Sequence, residues 1–156
     1  MTQSINIQIP GQSLAVPLPK LLALLAIEEP VVTLAGLPAA IGADLQGGIY
    51  VGPMVEDGQL VHLIAAKESL GSHDWEAAKV GASRYKGGGF LDWRLPTKDE
   101  AMVALVHAKS LFDQEWHWTS IERGSYPWAV GFESGFVSGG NRSDEFRVRP
   151  FRRLTI

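Results

Sequence analysis

Beyond Asp113 the chain breaks into short β-like runs, and this punctuation is what most restricts its fold. Trp116 to Ile121, Trp128 to Glu133 and Glu145 to Leu154 are separated by glycine, serine and asparagine, residues that favour turns over continued ladders. Two helical stretches precede them. One is expected from about Ser72 to Tyr85, with Trp75, Ala78, Lys79 and Ala82 on one face, and Gly87-Gly88-Gly89 ends it. The other starts at Thr97-Lys98-Asp99-Glu100. Pro96 disfavours helical geometry at Leu95, Thr97 can cap the Glu100 amide, and Glu100 can reach back to form a capping box. Met102, Leu105, Val106, Lys109 and Phe112 are then expected on one side, the Lys109 stem lying along the apolar surface.

Upstream, Gly48 to Gly52 and Leu60 to Ala65 flank Glu56-Asp57-Gly58, a strong hairpin signal. The sum is an α+β chain with two helices and short, mostly antiparallel strands. A composition shift near residue 46 divides it. Residues 1–46 are apolar and rich in proline and glycine. Ile5, Ile7 and Ile9 alternate with polar residues as in a half-buried strand, and Pro10-Gly11 breaks it. Leu18, Leu21, Leu22 and Leu25 have helical spacing, Pro17 and Pro19 suit a first turn, and Pro30 and Gly36 to Gly42 read as extended or looped chain. This part reads as an assembly or docking element that could drive homo-oligomerisation; residues 47–156 form the main domain.

Composition removes several classes of function. There is no cysteine among the 156 residues, so disulfides, thiolate zinc sites and cysteine nucleophiles are excluded. The fold must hold by packing and hydrogen bonds alone. A formal charge of -3 gives no global basic field for nucleic acid. No apolar run approaches the roughly 20 residues that span a bilayer, so no membrane insertion is expected. Residues 1–10 carry no Lys or Arg and show no secretion signal, which points to synthesis in the cytoplasm.

Asp92-Trp93-Arg94-Leu95-Pro96-Thr97, Trp116-His117-Trp118-Thr119-Ser120, Trp128-Ala129-Val130-Gly131-Phe132 and Phe146-Arg147-Val148-Arg149 occur in that order. Together they resemble the DUF1566 family, the Legionella collagen-like protein C-terminal domain, over roughly residues 47–154. The resemblance implies a C-type-lectin-like fold of the kind found in bacterial surface and phage or prophage proteins. It further implies a variable binding face built from long loops and late strands. Many relatives carry cysteines near these motifs and this chain has none, which fits a protein not matured in an oxidising compartment.

Trp93 is expected to be buried, with Asp92 and Arg94 bonding loop backbone. Trp116 and Trp118 share a strand phase and read as core, with His117 opposite, and Trp128 also reads as core. The candidate binding residues are Glu122, Arg123, Ser125 and Tyr126 in the first late connection, and Phe136, Asn141, Arg142 and Asp144 in the second. Tyrosine and arginine supply much contact energy at low entropic cost, and loops on rigid scaffolds concentrate recognition. The competing reading leaves Tyr126 flat on its own domain and the Glu133 to Asp144 stretch as solvated turn.

Arg147, Arg149, Arg152 and Arg153 form a basic run. Arg147 and Arg149 are expected on the face away from the apolar side, paired with acids of the same domain in preference to nucleic acid, and Pro150 marks an edge or bulge. His62, His73, His107 and His117 are scattered without metal-ligand spacing. Neither a nucleophile elbow nor a phosphate loop occurs, and no calcium-type sugar motif such as Glu-Pro-Asn is present. The expectation is a non-catalytic, cofactor-free and metal-free recognition module. Its partner would be a protein or carbohydrate on a bacterial host, met by a virion-associated protein. The alternative is a host intracellular protein, such as a defence complex, blocked in the host cytoplasm.

Overall fold

The computed structural model describes residues 4–9, 12–17, 36–38 and 40–154. The chain divides into two compact units at Gly36–Leu37. In the smaller, β1 (Ser4–Ile9) pairs antiparallel with β2 (Gln12–Pro17), Ile9 opposite Gln12. Pro17 therefore ends a strand and does not open a helix. The helix expected from Leu18 to Leu25, and the looped chain at Pro30, lie outside the described residues.

The larger unit is α+β. A four-stranded sheet runs β11-β5-β4-β3, comprising β3 (Asp44–Leu45), β4 (Gly48–Glu56), β5 (Gln59–Ala66) and β11 (Phe151–Leu154). Asp57 and Gly58 turn β4 into β5 with φ of 50° and 78°, the paired positive values that Asp-Gly adopts readily. A five-stranded sheet runs β6-β10-β7-β8-β9. Its members are β6 (Ser72–His73), β7 (Trp116–Arg123), β8 (Tyr126–Gly131), β9 (Val137–Gly139) and β10 (Phe146–Arg147). Pairing is antiparallel except between β10 and β7.

Helix α1 (Trp75–Arg84) is capped by Asp74, whose side chain accepts from the Ala77 amide. It starts three residues later than expected because Ser72 and His73 are used in pairing with β10. Its Trp75, Ala78 and Ala82 pack with Trp118, Ala129 and Val148 on one side of the five-stranded sheet. Helix α2 (Lys98–Ala108) has the expected capping box at Thr97 and Glu100. Its buried face, however, is Ala101, Ala104 and Ala108, while Met102 and Leu105 are partly buried and Val106 is 73% exposed. Small residues let the helix backbone lie close to Val51, Leu63 and Val130, and larger ones flank that contact. A third cluster joins Ile64 and Ala66 of β5 to Trp93.

Glu100 is fully buried and carries a dense set of bonds. Arg94 grips it with two bonds of 2.7 Å, Arg153 donates at 2.5 Å, and the Thr97 amide donates at 2.7 Å. Burial pushes its pKa up, yet the arginines and the Thr97 amide outweigh this and hold it below the ordinary glutamate value. The late arginines are mostly internal fasteners. Arg149, expected on the outer face, is buried and donates to the Ala66 and Lys67 carbonyls; Arg152 is buried against Asp92.

His117 is also buried. Its Nδ1 donates to the Glu115 carbonyl at 3.1 Å, and its ring centre lies 4.5 Å from that of Phe132. Nε2 has no hydrogen-bond partner among the described residues. Burial in this aromatic setting lowers the His117 pKa to about 4.

Replacing Glu100 with Gln leaves Arg94 and Arg153 without their shared anion and should lower unfolding free energy by about 3 kcal/mol, read from urea melts. The unfolded chain takes up a proton on His117 near pH 6.5, whereas the folded chain resists until about pH 4. Stability from this group is thus complete above about pH 6.5 and falls, on the order of 3 kcal/mol in all, as pH drops to about 4. Urea melts across that window should show the slope, and His117→Gln should flatten it.

Candidate binding face

The hairpin of β7 and β8 turns at Gly124-Ser125, with Arg123 opposite Tyr126 and Glu122 opposite Pro127. Gly124 has φ 62°, a value costly for other residues. The stretch from Glu122 to Trp128, expected as a connection, is therefore mostly strand with a two-residue turn. Along β8, Tyr126, Trp128 and Val130 project to the same face. Val130 lies in the core against α2, while Trp128 is half-buried and Tyr126 is 56% exposed.

The β7 register explains how Trp128 comes to be partly bare. Trp118 pairs with Ala129 and Glu122 with Pro127, so Thr119, Ser120 and Ile121 together face Trp128. This bulge interrupts the ladder, and the Thr119 hydroxyl donates to the Trp128 carbonyl at 2.8 Å in its place. On the other side, β9 places Gly139 opposite Trp128. A Cβ at Gly139 would stand 3.1 Å from the Tyr126 Cβ, so the absence of a side chain keeps the hollow open. The result is a groove of about 510 Å³ lined by Arg123, Tyr126, Trp128, Val137, Ser138 and Gly139. The Arg123 guanidinium lies 5.7 Å and the Lys98 ammonium 5.5 Å from the Trp128 ring centre.

The structure thus joins Arg123 and Tyr126 in one groove and adds Trp128, which the sequence reading assigned to the core. Phe136, just before β9, is 70% exposed. Ser125 is exposed in the adjoining turn. The other candidates serve elsewhere. Arg142 donates to Glu122 and to Glu76, each at 2.7 Å, and its guanidinium sits 4.5 Å from the Trp75 ring centre. Lys79 caps the same ring at 3.7 Å. Glu122 and Arg142 thereby clasp the hairpin to α1. Asp144 accepts from the Asn141 amide at 2.8 Å, which shapes the turn before β10.

No family model and no curated protein matches the chain.

Among the described residues no group of three or more His, Asp or Glu side chains is placed to hold a metal ion, and no helix is long and apolar enough to cross a membrane. His62 bonds the Tyr50 hydroxyl at 2.9 Å within the protein, and burial lowers its pKa. His73 approaches the Leu70 carbonyl at 3.0 Å. The strand phase that Trp128 shares with Tyr126 places it on the groove's face but, shared equally with buried Val130, does not signal its exposure. The bulge that exposes it has no sequence signal either.

Arg142→Ala should separate clasp from groove. Its ion pairs are exposed, so a loss of no more than about 1 kcal/mol is expected in urea melts. Any ligand that quenches tryptophan fluorescence at the groove should keep its affinity in this variant.

Proposed function

We propose that the chain is a non-catalytic recognition module whose groove along β8 and β9 docks a macromolecular partner. The observation that carries this reading is the pairing of two partly open aromatic rings, Tyr126 and Trp128, with Arg123 beside them. Tyrosine, tryptophan and arginine are the residues that contribute most to binding energy when a partner dries them. Here all three stand on strands fixed by core packing, so little order must be imposed on binding.

The resemblance to the DUF1566 family gives the proposal its setting. A C-type-lectin-like domain of a phage or prophage protein would present this groove to a protein or glycan on a bacterial surface. The two helices and the short, mostly antiparallel strands are compatible with that reading.

The double variant Tyr126→Ala, Arg123→Ala tests it. Binding to host envelope preparations should fall at least about tenfold, with less than about 1 kcal/mol lost in stability because both side chains are exposed. Unchanged envelope binding in the folded double variant would overturn the groove as the docking site. Loss of binding to a host lysate protein, with none to the envelope at any stage, would move the site of action inside the cell.

A further inference from the structure

Among the described residues, the wall of the groove is an open sheet edge. The Gly131 amide donates to the Phe136 carbonyl at 2.8 Å, and the Gly140 amide donates to the Pro127 carbonyl at 2.9 Å. Ala129 stands opposite Ser138. In an antiparallel ladder such bonded pairs alternate, so residues 136, 138 and 140 turn their backbone groups toward β8. Val137 and Gly139 turn theirs outward, and β9 is the last strand in its sheet. Among the described residues the one bond to these groups is the Ser138 hydroxyl to the Gly139 carbonyl, at 3.4 Å.

This outward phase coincides with the aromatic face. Val137 and Gly139 stand across from Val130 and Trp128, so a strand laid on β9 would put alternate side chains beside the Trp128 and Tyr126 rings. Arg123 lines the groove and, with Lys98, lies beside the Trp128 ring; both of these charges are positive. Among the described residues neither Arg123 nor Lys98 belongs to an ion pair. Arg94, Arg142, Arg147, Arg152 and Arg153 all do.

We infer that the partner is engaged as an extended acidic polypeptide segment that adds a strand to β9, pairing with the backbone of Val137 and Gly139. Its acidic side chains on the groove side meet Arg123 and Lys98, and the stems of those side chains lie on Trp128 and Tyr126. Backbone pairing supplies affinity that is tolerant of sequence, and the two cations select charge. This rests on the groove being the docking site and narrows its occupant to protein.

The test uses the full chain and a fluorescein-labelled peptide of alternating threonine and glutamate, with its threonine–lysine counterpart and a hyaluronan oligosaccharide as controls. Saturable anisotropy binding of the acidic peptide is expected, at least about tenfold tighter than the basic one. Arg123→Gln should weaken it about tenfold. Val137→Pro removes an outward amide while leaving the bonds to β8 in place, and should do the same. Since that variant could perturb folding, hydrogen exchange on the unaltered protein gives a second readout: the Val137 and Gly139 amides should slow when the peptide binds.

No peptide binding up to about 1 mM, equal binding of the basic peptide, or protection elsewhere than β9 would overturn the inference. So would binding of hyaluronan in place of the peptide. If these occur while the Tyr126→Ala, Arg123→Ala variant still loses envelope binding, the groove stands and the peptide mode alone fails.

Discussion

The buried carboxylate of Glu100 is the constraint around which the larger unit is arranged. It is the third residue of α2, and its bonds reach the Thr97 amide, Arg94 in the preceding loop and Arg153 at the end of the chain. Arg153 also bonds Glu56 at the end of β4. One anion therefore ties the helix start to Arg153 of β11 and, through that arginine, to Glu56 at the end of β4. A charge in this position is tolerated because two guanidinium groups and a backbone amide replace the water it has lost. The position of Lys98, and hence of its charge beside Trp128, follows from where Glu100 pins the helix.

Tryptophan indoles play the corresponding part between layers. Trp75 donates to the Thr119 carbonyl and Trp118 to the His73 carbonyl, both at 2.8 Å, and Trp93 donates to Gly87 at 3.1 Å. Each ring fills core volume while its N–H satisfies a backbone group of a different element. In a chain without cysteine the Trp75 and Trp118 bonds, which span 44 and 45 residues, are long-range fasteners of the kind that disulfides otherwise supply. The Trp75–Thr119 bond also fixes the bulge of β7, so the packing of α1 on one side of the sheet shapes the groove on the other.

Much of this was legible in the sequence. Alternation, Asp-Gly and the Thr97–Glu100 box gave β1, the β4–β5 hairpin and the start of α2, because each depends on residues near in sequence. What sequence reasoning missed depends on distant partners. The alanine face of α2 looked weaker than the Met102, Leu105, Val106 side, since nothing local says how closely a sheet will approach. Arg149 looked exposed because its acceptors are the carbonyls of Ala66 and Lys67, more than eighty residues away. Arg142 looked like a contact residue for the same reason, its partners Glu76 and Glu122 being brought in by the fold. Tyr126 and Arg123 are exposed as expected, because exposure at a hairpin end is itself a local property.

Trp128 is the case where local and distant effects meet. Its phase with Val130 sends it toward the core, and a straight ladder under a longer helix would have buried it there. Helix α2 begins at Lys98, close to this ring, and the bulge at Thr119 to Ile121 removes a regular cross-strand neighbour. Gly139 offers no side chain from the other direction. Three independent features, a helix boundary, a register shift and a glycine, leave the same indole partly uncovered. A side chain at Gly139 would close the hollow at no benefit to the core beneath. The groove is thus the place where the sheet outruns the helix that covers it, which is why its aromatic floor lies beside a strand edge that is unpaired among the described residues.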